Sequence, residues 1–375
     1  MTLSSLRIGR RSLLTATGSA AVLGTLAAGA AVSHGVRPVA DSAPDRPLVV
    51  GHRGASGYRP EHTLASYELA ARMGADYMET DLVSTKDGEL VCRHEPEIGG
   101  TTDVAKHPEF ASRRTAKTID GTRYEGWFTD DFTLAELRTL RAVERIPQTR
   151  PHNRIYDGRF PIPTFGELIE LKARLSEELG RDIGIYPEIK HSTWFTGRGL
   201  AMEQKVVDAL DAARLNRPGA TVFVQSFETG NLRALRSSLK VPLVQLTDAT
   251  GAPADLVAAG DERTWADLTT AAGLKEIATY ADAVGPNKDQ VIARNPDGSL
   301  GAVTPLVANA HAAGLLVHPY TFRNENEFLP TNLRSPGTPA DYGDIFAEYT
   351  AFLDAGVDGV FSDNADTALL AVTAR

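Results

Sequence analysis

Gly74-Ala-Asp-Tyr-Met-Glu-Thr-Asp-Leu-Val83 is an apolar run that carries two carboxylates, Glu79 and Asp81, near its C-terminal end. Side chains at i and i+2 of a strand share one face about 7 Å apart, so both acids point the same way. Core packing explains two acids on one face poorly, and a metal site explains them well. Histidines close two other short apolar stretches, His52 in Leu48-Val-Val-Gly-His-Arg-Gly54 and His94 in Leu90-Val-Cys-Arg-His-Glu95. A further run, Ile183-Gly-Ile-Tyr-Pro-Glu-Ile-Lys190, ends in Glu188. Four apolar runs that each deliver polar chemistry at the C-terminal end describe the active face of a parallel barrel.

Outward from these runs the chain alternates strand and helix patterns, which favours a parallel α/β architecture over a sandwich. Ala65, Leu69 and Met73 recur at helical spacing, and Gly74 stops the helix. Thr85-Lys-Asp-Gly88 is too short to hold a crossover helix before the run at 90–93, so the barrel is irregular there. Residues 96 to 160 are rich in charge and turn formers, with one helical stretch at 134–140, and read as an insertion over the barrel mouth. Helices follow at 164–179 and 202–213, and further runs at 221–227, 242–246, 283–285, 315–320 and 357–361. Nine strand candidates are one too many for an eight-stranded barrel, so one lies outside it or merges with a neighbour. Residues 246–267 read as a second surface loop.

A chain of 375 residues with 42% hydrophobic composition can form one large barrel or two smaller domains, and the motif order favours one. A formal charge of −9 without a basic cluster argues against nucleic acid as the main partner. Gly9-Arg-Arg-Ser-Leu-Leu14 precedes an uncharged Ala/Gly/Leu-rich stretch, the pattern of a twin-arginine signal peptide over 1–30. A linker at 31–47 and a barrel domain at 48–375 complete the expected organisation. The stretch is too weakly hydrophobic for a good membrane anchor, and Ala28-Gly29-Ala30 offers a cleavage motif. Export by the twin-arginine machinery after cytoplasmic folding, to the cell envelope or beyond it, fits a chain whose one cysteine, Cys92, has no disulfide partner. Cys92 itself reads as a small buried hydrophobe.

Eight segments resemble, in order, the glycerophosphodiester phosphodiesterase family in its secreted or periplasmic branch. They are His52-Arg-Gly-Ala-Ser-Gly-Tyr58, Pro60-Glu-His-Thr63, Gly74 to Asp81, Thr85-Lys-Asp-Gly88, Tyr186-Pro-Glu-Ile-Lys190, Gln225-Ser-Phe227, His318-Pro-Tyr-Thr321 and Gly356-Val-Asp-Gly-Val-Phe-Ser-Asp363. The resemblance implies a (β/α)8 TIM barrel of the phosphodiesterase type with an insertion after the third strand. It also implies hydrolysis of glycerophosphodiesters to sn-glycerol 3-phosphate and an alcohol.

A phosphodiester repels nucleophiles, so a catalyst must neutralise its charge, activate a hydroxyl and protonate the leaving oxygen. Glu79, Asp81 and Glu188 are hard oxygen donors suited to Ca²⁺ or Mg²⁺ rather than zinc. In the family the matching carboxylates bind the divalent ion, which in the secreted branch is usually calcium. His52 and His94 titrate near neutrality and match the acid and base pair. Arg53 and Lys190 would hold the phosphate, although Lys190 could instead be a buried partner of Glu188.

Glu61 matches a position near the metal or the glycerol hydroxyls, or else serves as a helix N-terminal carboxylate. Phe227 and Tyr320 either line the glycerol pocket or pack in the core. His62 stands where many members have asparagine and receives no catalytic role. Glu95 stands where the family usually has aspartate, which moves the carboxylate by about 1.5 Å. His191, His318 and Asp363 read as shell or packing residues. Three other readings compete: an exo-hydrolase of glycerol phosphate polymers such as teichoic acids, a phospholipase D-like toxin on the same barrel, and an envelope protein that binds phosphate or metal without catalysis. Toxins of that kind usually carry disulfides, and a binding protein has no reason to keep two titratable histidines.

Overall fold

The computed structural model describes residues 45–374. The expected leader, and all of the expected linker except 45–47, lie outside the described residues. The strands are β1 (Leu48–Gly51), β2 (Tyr77–Ser84), β3 (Leu90–Cys92), β4 (Thr115–Ile119), β5 (Thr122–Gly126), β6 (Gly184–Ile189), β7 (Val224–Ser226), β8 (Leu243–Thr247), β9 (Ala283–Pro286), β10 (Ile292–Arg294), β11 (Leu300–Val303), β12 (Leu316–Val317) and β13 (Gly359–Ser362).

Eight of them run parallel in the order β12-β9-β8-β7-β6-β2-β1-β13. The two ends of this path meet where Phe322 pairs with Ser362, with the Phe322 N–H donating to the Phe361 carbonyl at 2.8 Å. The result is a (β/α)8 barrel. The ninth expected strand is β3, which turns back antiparallel on β2 through Leu82↔Cys92 and Ser84↔Leu90. Its connection is too short to carry a helix across the sheet, so β3 cannot join the parallel path.

The helices begin where side chains satisfy the free backbone donors. Thr63 caps helix Leu64–Arg72, and Thr164 with Glu167 forms a reciprocal capping box at helix Phe165–Leu179. Phe165, Leu168, Leu171 and Leu175 recur at three- and four-residue spacing on the buried face of that helix. Four features were not legible in the pattern. The β4–β5 and β10–β11 hairpins are largely solvent-facing, so they lack the apolar alternation that marks a strand. The 246–267 loop contains helix Ala254–Ala259. The run at 315–320 shortens to β12 because Pro319 has no N–H to donate to a ladder.

Strand alternation then builds the site. Leu48, Val50, Tyr77, Tyr186, Phe223 and Phe361 fill the barrel interior, where Tyr186 stacks on Phe223 with centroids 4.8 Å apart. Val49, Met78, Ile185 and Val224 face outward into the helix layer. Side chains alternate with period two, so the residues following the inner layer on the same face are His52, Glu79 and Asp81, Glu188 and Lys190, Gln225 and Phe227, and Asp363. An aromatic floor thus lies beneath an ionic mouth.

Gly184 is what admits the Tyr77 ring, because a Cβ there would lie 2.1 Å from a ring carbon. Gly184→Ala must displace the residue that begins the Glu79 and Asp81 strand. Overpacking of this kind costs about 1–3 kcal/mol. The urea midpoint should fall with an unchanged slope, and an unaltered midpoint would show that the floor is not close-packed there.

Candidate active site

Glu79 and Asp81 stand on β2 and Glu188 on β6, and the register pairs Asp81 with Glu188. Their ligating oxygens lie within 4.8 Å of one another. Each of the three is at most 5% exposed. Glu79 Oε2 accepts the Arg53 backbone N–H at 2.6 Å, and Gln225 Nε2 lies 3.4 Å from Glu79 Oε1. Burial and the charge of Asp81 push the Glu79 carboxyl well above its usual range. Burial pushes Glu188 up to about 8, although Lys190 Nζ is 3.0 Å away. Burial also raises Asp81, but Lys190, His94 and a 2.8 Å hydrogen bond from His62 Nε2 hold it well below the carboxylate range. This buried all-oxygen set is short of positive charge and fits a hard divalent cation.

The turn after β1 is left-handed at Arg53 (φ 56°) and Gly54 (φ 82°), and a Cβ on Gly54 would lie 2.5 Å from Ser66 Oγ. That strained turn aims the Arg53 N–H at Glu79. The Arg53 side chain reaches Glu61 Oε2 at 3.1 Å and lies 3.7 Å from Asp81 Oδ2. His52 Nδ1 is 2.6 Å from Asp363 Oδ1. Burial and Arg53 lower the His52 imidazole to about 4 despite Asp363. His94 has the same arrangement, with Nδ1 2.5 Å from Glu95 Oε1 and Nε2 3.3 Å from Lys190 Nζ. Burial, Arg53 and Lys190 lower His94 to about 3. Both rings are therefore neutral near pH 7, and each places its Nδ1 against a carboxylate.

Sequence reasoning missed the groups that hold those carboxylates. Arg145 clamps Glu61 at 2.6 and 2.7 Å and Glu95 at 2.7 and 3.0 Å. Arg150 donates to Asp363 at 2.6 Å, to Glu325 at 2.6 Å and to the Ser56 carbonyl at 3.0 Å. Arg323 Nε adds a 2.9 Å bond to Asp363. Each histidine is thus oriented by an acid, and each acid is gripped by an arginine from the segment between β3 and helix Phe165–Leu179. Buried Arg93 ties that segment down by donating to the carbonyls of Glu61, His62, Cys92 and Thr101. The aperiodic, charge-rich sequence around Arg145 and Arg150 offered no signal. Asp363 offered one, since it follows Phe361 on the same face at a strand end.

His52, Arg53, Glu79, Asp81, His94 and Glu188 line one cleft of about 130 Å³, with Phe227 and Tyr320 on one wall. Glu61 lines an adjoining cavity, and Lys190 lines another. The Tyr320 hydroxyl donates to the Thr247 carbonyl at 2.9 Å, so its ring rather than its hydroxyl is presented to the cleft. His62 bridges Asp81 and the Tyr67 hydroxyl. His318 lies in the barrel interior within 2.9 Å of the Tyr186 hydroxyl, and His191 pairs with Asp120.

Asp363 links the site to stability. Its folded-state pKa is depressed because Arg323, Arg150 and His52 outweigh burial. Its contribution is therefore fully present above the unfolded aspartate value of about 4 and is lost as pH falls toward the depressed folded value. Asp363→Asn leaves two arginines short of their anion and should cost about 3–5 kcal/mol at pH 7. In urea titrations the gap between wild type and variant should narrow steadily below about pH 4. A gap independent of pH would remove the ionic account.

The chain matches the model of the glycerophosphoryl diester phosphodiesterase family over residues 52–367. It is 36% identical over 334 residues to a glycerophosphodiester phosphodiesterase of Arabidopsis thaliana, covering 85% of this chain and 84% of that one. It is 31% identical over 346 residues to a glycerophosphodiester phosphodiesterase of Haemophilus influenzae, covering 85% and 88%. A solved phosphodiesterase of Oleispira antarctica shares the fold with a TM-score of 0.56 and 19% identity, covering 87% of this chain and 96% of that one. With the barrel, the buried carboxylates and the paired histidines in place, the chain belongs to the glycerophosphoryl diester phosphodiesterase family.

Proposed function

We propose that the protein hydrolyses small glycerophosphodiesters to sn-glycerol 3-phosphate and an alcohol, using a divalent cation, calcium foremost, and two histidines as acid and base. The observation that carries this reading is the pair of neutral imidazoles, each carboxylate-oriented, facing one cleft that also holds the buried acidic trio. The relatives' names and the Oleispira phosphodiesterase, solved in complex with the product sn-glycerol-3-phosphate, support the substrate class. Export through a twin-arginine leader cut near residue 30 belongs to the same proposal and rests on Arg10-Arg11 and the stretch that follows.

A cation held by Glu79, Asp81 and Glu188 would supply Lewis-acid neutralisation of the phosphate oxygens. The chain's own residues do the rest. Arg53, fixed by Glu61 and through it by Arg145, presents a guanidinium to the phosphate, and Lys190 adds an ammonium from β6's end. The arriving anion offsets these two cations and raises both imidazole pKa values toward neutrality. One ring, still neutral, takes the proton of the attacking hydroxyl at Nε2, and the other, which has taken up a proton from solvent once the phosphate has bound, gives its Nε2 proton to the departing oxygen. Asp363 and Glu95 stabilise whichever ring becomes cationic.

The test is release of glycerol 3-phosphate from glycerophosphocholine by the processed protein. Chelator should abolish turnover and calcium restore it. His52→Ala and His94→Ala should each lower kcat by about 10²–10⁴ with little loss of stability. Glu79→Gln should remove the rise in melting temperature that calcium gives the wild type. Turnover indifferent to chelator, or a histidine variant as fast as wild type, would overturn the corresponding part of the mechanism.

A further inference from the structure

His62 is fully buried and, although it touches the acidic trio, it is not among the residues that line the cleft. Its Nε2 lies 2.8 Å from Asp81 Oδ2, and its Nδ1 lies 2.8 Å from the Tyr67 hydroxyl. That hydroxyl is 2.7 Å from Thr80 Oγ1, on the residue that precedes Asp81 in β2. Neighbours on a strand face opposite sides, so the chain of contacts from Thr80 through Tyr67 and His62 to Asp81 passes from the outer face of β2 round to its inner face. The backbone of His62 is held as well. It sits in the left-handed region at φ 53°, its N–H donates to the Arg53 carbonyl at 3.1 Å, and its carbonyl accepts Arg93 Nη2 at 3.0 Å. Strain of that kind persists only where the surroundings impose it.

The direction of these hydrogen bonds follows from the groups involved. A carboxylate only accepts, so His62 Nε2 carries the hydrogen. Burial lowers the His62 pKa although Asp81 opposes it, so the ring is neutral near pH 7 and its Nδ1 accepts the Tyr67 hydroxyl hydrogen. Thr80 then donates to the Tyr67 oxygen. Tyr67 therefore locks the tautomer that Asp81 requires. Lys190, 3.0 Å from Glu188, supports the trio with a positive charge that opposes an arriving cation. A neutral ring orients Asp81 without that opposition.

We propose that His62 is a positioning residue for the cation site: locked by Tyr67, it holds Asp81 Oδ2, leaves Oδ1 for a divalent cation, and so sets the affinity of the site. The inference rests on the cation reading above. An asparagine at position 62 is too short to span Asp81 and Tyr67 together, so this support belongs to the histidine.

Calcium is titrated calorimetrically into the chelator-treated, processed protein in the absence of substrate, which keeps the result independent of turnover. His62→Leu fills the volume and removes the donor, and should raise the calcium Kd by about 10–100-fold, the usual effect of losing a partner that orients a metal ligand. Tyr67→Phe, which hydrogen-bonds to none of the three acids, should raise it by about tenfold by freeing the ring to take the other tautomer. His62→Gln, whose amide donates to Asp81, should recover part of the loss.

A purely structural role would lower the melting temperature of the cation-free protein and leave the Kd unchanged. That result in folded variants overturns the proposal, and Tyr67→Phe decides alone if His62→Leu does not fold. A wild type that binds neither calcium nor magnesium overturns the cation reading and this inference together. Wild-type binding with unmoved variants overturns this inference only.

Discussion

Mutual repulsion among Glu79, Asp81 and Glu188 at the barrel mouth is the constraint on which the rest of the structure depends. Their oxygens lie within 4.8 Å of one another, away from water, where like charges repel far more strongly than at a surface. The chain relieves this only in part. Asp81 keeps its charge through Lys190, His94 and His62, whereas Glu79 and Glu188 are pushed toward protonation. A site balanced this way is completed by a hard cation, and the same surplus of negative charge makes it receptive to Arg53 and Lys190.

Around that centre the protein separates two tasks. The barrel strands set where the acids and His52 stand, because alternate residues above the aromatic floor must face the axis. The segment between β3 and helix Phe165–Leu179 sets how the histidines are held. Arg145 and Arg150 reach in from it to grip Glu95 and Asp363, and Arg93 anchors it through four backbone carbonyls. This segment therefore carries part of the electrostatics of the mouth. Glu95 illustrates the coupling: its longer side chain still reaches His94 because Arg145 fixes the carboxylate in place.

Most of the barrel was legible because its strands are short apolar runs ending in polar residues, and the surplus run at 90–93 could be recognised as irregular from the length of its connection. The hairpins Thr115–Ile119 with Thr122–Gly126, and Ile292–Arg294 with Leu300–Val303, were not legible. Their residues are largely solvent-facing, and pairing between exposed strands leaves no hydrophobic period behind. Among the site residues, those on strand ends could be named in advance, whereas Arg145, Arg150 and Arg323 lie in segments where charge is abundant and aperiodic.

The amino-acid sequence by itself determined which residues share the inner face of each strand, and hence that Glu79 with Asp81, Glu188 with Lys190, and His52 could point toward one axis. That follows from the two-residue period of a β-strand, a local property of the chain. Only the tertiary structure decided that Asp363 orients His52 across 311 residues of sequence, that Arg145 spans Glu61 and Glu95, and that an aromatic and acidic cavity opens beside His94. Those are contacts between segments brought together by barrel closure, and no local pattern specifies which arginine among many will meet which carboxylate.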